Sequence, residues 1–126
     1  MTEKFDRKEC EIEFDLIVTI VDKGRSCLVV EASKKAGAEG GTILRGRGTG
    51  VREKAKLFGM AIEPEKEIVL TLVPRKDSEA VLDAIIEKAE LNKPGKGMAF
   101  ILEVKRIACI IHLLNDEDRE NVENNI

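Results

Sequence analysis

Hydrophobic and polar positions follow two rhythms along this chain. Residues 12–21 (IEFDLIVTIV) start by alternating and become continuously apolar and β-branched, the pattern of a central strand. Asp22-Lys23-Gly24 ends that run. From Arg25 to Ala36 the apolar positions Cys27, Leu28, Val29, Ala32 and Ala36 fall at helical spacing. Leu28-Val29-Val30 suits a helix or a strand, and Glu31 and Lys35, four apart, decide for helix. Gly37 stands where a C-cap belongs. Gly40 to Arg45 reads as a short second strand, and Lys66 to Val73 (KEIVLTLV) as a third, closed by Pro74. Asp77 is an N-cap for a helix running to about Leu91, along which Val81, Ala84, Ile85 and Lys88/Ala89 repeat at three and four. Asn92 to Gly97 is a turn by composition, and Met98 to Val104 a fourth strand. Arg106 to Leu114 (RIACIIHLL) reads as a further strand or a packed tail.

The stretch from Thr49 to Glu65 has no clear period. Arg52 to Phe58 suits one or two helical turns, and Gly59 and Pro64 punctuate it. A loop this long in a small domain is usually functional or disordered. The resulting order predicts an α+β fold, a ferredoxin-like βαββαβ sandwich with an antiparallel four-stranded sheet and two helices on one face. Because the strands do not alternate strictly, the other sheet face is expected to be apolar as well, which argues for oligomerisation. The expected organisation is a polar N-terminal segment (1–11), one domain (12–114) with a mobile loop at 48–65, and an acidic C-terminal tail (115–126).

Composition narrows the functional classes. At 126 residues this is one domain, with 36% charged residues and a formal net charge of −3, so nothing points to nucleic acid. Four Phe and no Trp or Tyr leave no platform for stacking successive bases. Cys10, Cys27 and Cys109 are far apart, and His112 is the single histidine, which argues against a zinc site or a disulfide framework. The thiols are expected to be buried or inert. Met1 to Glu13 lacks an apolar core, and no run of 18 apolar residues occurs, so neither a signal peptide nor a membrane span is expected. The expected location is the cytoplasm.

Candidate chemistry gathers in Gly40 to Gly50 (GGTILRGRGTG). Seven of the ten glycines lie between Gly37 and Gly59, and Arg45, Arg47 and Arg52 add three guanidinium groups. Glycines let backbone N–H groups approach a ligand, and arginine suits phosphate and carboxylate. The stretch reads as an anion-binding loop leaving a strand or as a flexible basic hairpin tip. Elsewhere the residues favour structural roles. Asp116-Glu117-Asp118 reads as a solvated acidic tail, and His112 as a core or interface residue. Cys109 and His112, three apart, face opposite sides of a strand. Asp77, Glu79 and Asp83 complement a helix dipole. No nucleophile, base and orienter stand together, so no enzyme is expected.

Several of these stretches resemble the PII signalling superfamily, trimeric ferredoxin-like regulators of nitrogen metabolism. The resemblance covers roughly residues 14 to 107. Leu72 to Ile86 (LVPRKDSEAVLDAII) is similar to the family's strand, acidic cap and Ala-Ile-Ile helix. Gly95-Lys96-Gly97-Met98-Ala99-Phe100 is similar to its signature Gly-Asp-Gly-Lys-Ile-Phe, and Gly46-Arg47-Gly48 sits where it has Gly-Phe-Gly at the root of the T-loop. The resemblance implies three clefts between neighbouring chains, each taking ATP, ADP or AMP. Thr42, Gly46 and Gly48 would line a cleft from one side; Gly95, Lys96 and Gly97 would meet phosphates, with Lys66 close by and Arg45, Arg47 or Arg106 supplying charge. Departures accompany it. Lys96 and Met98 replace the signature Asp and Lys, Leu91 replaces a threonine that holds the adenine, and Cys109 and Ile111 replace two arginines. The loop is shorter and, without tyrosine, has no site for uridylylation. The function implied is a non-enzymatic trimeric regulator that senses a small anion and signals to a partner protein through the loop. The alternative is a nucleotide-independent trimeric interaction module.

Overall fold

The structure, a computed structural model, describes residues 12–48, 56–57, 60–61 and 64–108. Its elements are β1 (Phe14–Asp22), α1 (Ser26–Lys35), β2 (Thr42–Arg47), β3 (Lys56–Leu57), β4 (Met60–Ala61), β5 (Glu65–Pro74), α2 (Arg75–Lys88) and β6 (Met98–Val104). Four strands form one antiparallel sheet in the order β2-β5-β1-β6, with Phe14 opposite Pro74 and Val104, and Thr42 opposite Leu70. This is the ferredoxin-like α+β sandwich that the element order predicts.

Strand registers pair odd with odd and even with even residues, so each parity owns one face. The odd face packs beneath both helices. There Ile17, Val21, Val69 and Val73 meet Val29 and Ala32 of α1 and Val81 and Ile85 of α2. The even face carries Leu16, Val18, Ile20, Leu44, Ile68, Leu70, Met98, Phe100 and Leu102. Neither described helix covers it, and among the described residues Leu44 (46%), Met98 (56%), Phe100 (39%) and Leu102 (49%) are exposed. The expected second apolar face is present.

Local signals explain the helix ends. Gly37 takes φ +115 beyond α1, where its N–H donates to the Lys34 carbonyl and the Ala38 N–H donates to that of Ser33, the reciprocal pair of a Schellman stop. α2 ends the same way with Glu90 at φ +57, and Leu91 donates to Ile86 at 3.0 Å while packing on the core. Leu91, standing where the resembling family keeps an adenine-holding threonine, is a core residue.

Four expectations need correction. Asp77 lies inside the first turn of α2 and does not cap it; Pro74 occupies the N-cap, and the Arg75 N–H donates to the Glu13 carbonyl at 2.7 Å. Strand continues through Gly46 and Arg47, because β5 offers a ladder partner to each, so these residues belong to an edge strand and not to a loop. Where helical turns were expected over 52–58, residues 56–57 pair with 60–61 as a two-rung antiparallel ribbon. Cys27, expected as a buried or inert thiol, is exposed. Cys10, Cys109, His112, the N-terminal segment and the acidic tail lie outside the described residues.

Candidate functional site

One end of the sheet collects the C-termini of β1 and β2 and the N-termini of β5 and β6. Eight of the nine candidate residues stand there. Arg45, Gly46 and Arg47 lie opposite Glu67, Lys66 and Glu65, and the Gly48 N–H donates to the Pro64 carbonyl at 3.2 Å, closing the root of the long loop. Gly95, Lys96 and Gly97 form the turn entering β6. Thr42 is apart, four residues back along β2, about 13 Å at strand rise.

The two groups occupy opposite edges, because β5 and β1 separate β2 from β6. Three strand spacings put them about 14 Å apart. A ligand touching both must span the central strands or lie between neighbouring copies.

Charge distinguishes the cations. Lys66 is 13% exposed and pairs with Asp22 at 2.6 Å. Lys23 pairs with Glu65 at 3.0 Å and holds that carboxyl below its usual range, with smaller help from Arg47 and Arg45. Arg45, Arg47 and Lys96 make no ion pair with another described residue.

Two of the glycines differ in what they do. A Cβ at Gly97 would stand 2.4 Å from the Ile20 carbonyl oxygen, and its φ is +136, so the turn hugs β1 as only glycine allows. A Cβ at Gly46 would meet only the Ile68 side chain at 3.6 Å, an ordinary contact. Of these two, geometry requires glycine at position 97 in the turn and not at position 46 in the strand.

Two residues beside the site escaped the sequence reading. Glu67 is buried, and its carboxylate accepts the N–H groups of Gly24 (2.8 Å) and Ser26 (3.0 Å) at the start of α1. The Ser26 N–H above all, then the Ser26 hydroxyl and the Gly24 N–H, hold its pKa below the usual carboxylate range. Arg25 donates from Nη1 to the Lys96 carbonyl at 3.0 Å and from Nη2 to the Ala89 carbonyl at 2.8 Å. Spacing gives no hint of either role, since each contact joins residues at least 41 apart in the chain. A charged residue inside an otherwise buried strand face was the available sign for Glu67.

A cleft of about 350 Å³ lies at the opposite sheet end, lined by Phe14, Arg75, Glu103 and Lys105 among others. Arg75 is committed there to Asp15 (2.8 Å) and to Glu13, and Asp15 foremost holds its pKa up.

A βαββαβ sandwich with a second apolar sheet face, which neither described helix covers, and a basic sheet end defines a class of small α+β domains. Within it, residues 14–112 match the family described as nitrogen regulatory protein P-II, and the chain belongs to that family. No curated protein sequence matches. Among solved structures, Arabidopsis thaliana PII bound to citrate is similar at 29% identity, covering 74% of this chain and 78% of that one with a TM-score of 0.58. The ATP complex of B. subtilis GlnK is 15% identical, with coverage of 73% and 82% and a TM-score of 0.57. A Bacillus cereus protein related to NIF3 shares the fold at 17% identity and a TM-score of 0.58, over 75% of this chain and 26% of its own.

Proposed function

We propose that this protein is a non-enzymatic regulator that assembles as a homotrimer in the cytoplasm and senses a small anion, an adenine nucleotide, in clefts between subunits. The observation that carries the reading is the trio Arg45, Arg47 and Lys96, cations that form no salt bridge among the described residues, at one sheet end. Two of the similar structures hold anions, citrate in the plant protein and ATP in the bacterial one. Glycine turns supply N–H donors without a Cβ in the way, and the cations supply charge-assisted bonds. Copies packed through the even face would bring the β2 edge of one against a neighbour, making a cleft from parts that stand about 14 Å apart in one chain. Ligand bound there would set the loop at 48–65, whose root is Gly48 and Pro64, and so change the surface offered to a partner protein.

Isothermal titration of the full-length protein with ATP, ADP, AMP and citrate tests this. Saturable binding of at least one nucleotide is expected, and Lys96→Ala should weaken it roughly tenfold, about 1.4 kcal/mol. Absence of heat with every ligand contradicts the sensing role and leaves the nucleotide-independent interaction module.

A further inference from the structure

We propose that Arg25 is the positioning residue of the anion site, its guanidinium fork fixing the Gly95–Gly97 turn so that the Lys96 side chain faces the ligand. The inference rests on the reading of this sheet end as an anion site.

The turn has little of its own to hold it. It contains two glycines at positive φ, Gly95 at +78 and Gly97 at +136, and its internal bond from the Lys96 N–H to the Lys93 carbonyl is long at 3.4 Å. Arg25 supplies what is missing. One guanidinium nitrogen grips the Lys96 carbonyl at 3.0 Å and the other the Ala89 carbonyl at 2.8 Å, so the turn is tied to the end of α2 through a rigid planar group. A lysine at the same place has a single ammonium and no fork to bridge two carbonyls in one plane.

The fork is itself aimed. The residues on either side of Arg25 donate their N–H groups to the buried Glu67 carboxylate, at 2.8 Å from Gly24 and 3.0 Å from Ser26. The Arg25 N–H donates to the Asp22 carbonyl at 3.1 Å. Glu67 lies opposite Arg45 on β2. A continuous path therefore runs from the β2 edge through Glu67 and the start of α1 to Lys96, joining the two groups that β5 and β1 separate. Both acceptors of the fork are neutral carbonyls, so Arg25 acts on the turn by hydrogen bonding and not by pairing with a charge there.

Two measurements on the full-length protein decide this. In ligand-free protein, Arg25→Gln should speed amide exchange at Lys96, whose N–H donates to the Lys93 carbonyl, about tenfold or more, while amides of the central strand at Ile17 to Val21 stay protected. Arg25→Lys should not restore protection, and Glu67→Gln should reproduce a smaller part of the effect. In titration with ATP, Arg25→Gln should weaken binding about tenfold in the wild-type background and less than about twofold once Lys96 is alanine, because its effect passes through Lys96. Unchanged exchange in Arg25→Gln would show that the turn holds itself and overturn the proposal. Equal weakening in both backgrounds would overturn it too, since Arg25 would then act through its own charge or through general stability. If wild type fails to bind ATP, the anion reading falls, and exchange alone decides whether Arg25 holds the turn.

Discussion

Gly97 and Gly46 look alike in sequence and differ in consequence. Gly97→Ala would drive a Cβ to 2.4 Å from the Ile20 carbonyl at a φ of +136, so both crowding and backbone strain oppose it. Denaturant unfolding should show a loss of about 2–4 kcal/mol. Gly46→Ala, with its nearest contact at 3.6 Å, should change stability by less than about 0.5 kcal/mol. Equal costs would mean that the turn is free of β1. Glu67 makes a second residue-scale case. Its pKa is depressed in the folded state, chiefly by the Ser26 N–H, so its stabilisation is present above the unfolded value near 4.3 and is lost as pH falls through the folded value. Wild type should therefore lose stability on acidification below about pH 5 more steeply than Glu67→Gln, which should already be weaker by about 1–3 kcal/mol at neutral pH. Parallel pH curves for the two proteins would remove Glu67 as the anchor of α1.

At the scale of elements, the threonines beneath the helices offer a further test. The Thr19 and Thr71 hydroxyls are buried and make no hydrogen bond. Thr71→Val exchanges that hydroxyl for a methyl and should raise stability by about 1 kcal/mol. A loss on thermal melting would point to a bound water between the two. The sequence carried most of this level. Met98 to Val104 is bounded as predicted, because Gly97 marks its start and Lys105-Arg106 ends its largely apolar run. Long periodic elements such as α2 were legible within two or three residues, and its start was misplaced because Asp77 imitates a cap that the Pro74 turn makes unnecessary. Gly46 and Arg47 were misread for a different reason. Glycine density signals loop, but a neighbouring strand with free ladder positions overrides local preference, and β5 supplied it. The candidate cations were visible in sequence; which of them are already paired, and that Arg25 and Glu67 organise the turn, depended on contacts between residues far apart in the chain.

For the whole molecule, the even sheet face is the feature with the largest consequence. Each 100 Å² of apolar surface covered there contributes about 2.5 kcal/mol toward association, before the cost of immobilising the chains. Phe100→Glu puts a charge on that face halfway along the edge strand β6, beside Val18 in the register, and should dissociate the proposed trimer while the odd-face core keeps the monomer folded. An unchanged assembly in size-exclusion chromatography with light scattering would mean that another surface joins the copies. The measurement that bears most directly on the proposed function is native mass spectrometry of the full-length protein with ATP, because it reads assembly and ligand together. The account predicts the mass of three chains carrying up to three ATP molecules, with the adducts reduced in Lys96→Ala and the trimer intact. A species of one chain's mass at micromolar concentration, without ATP attached, would contradict it.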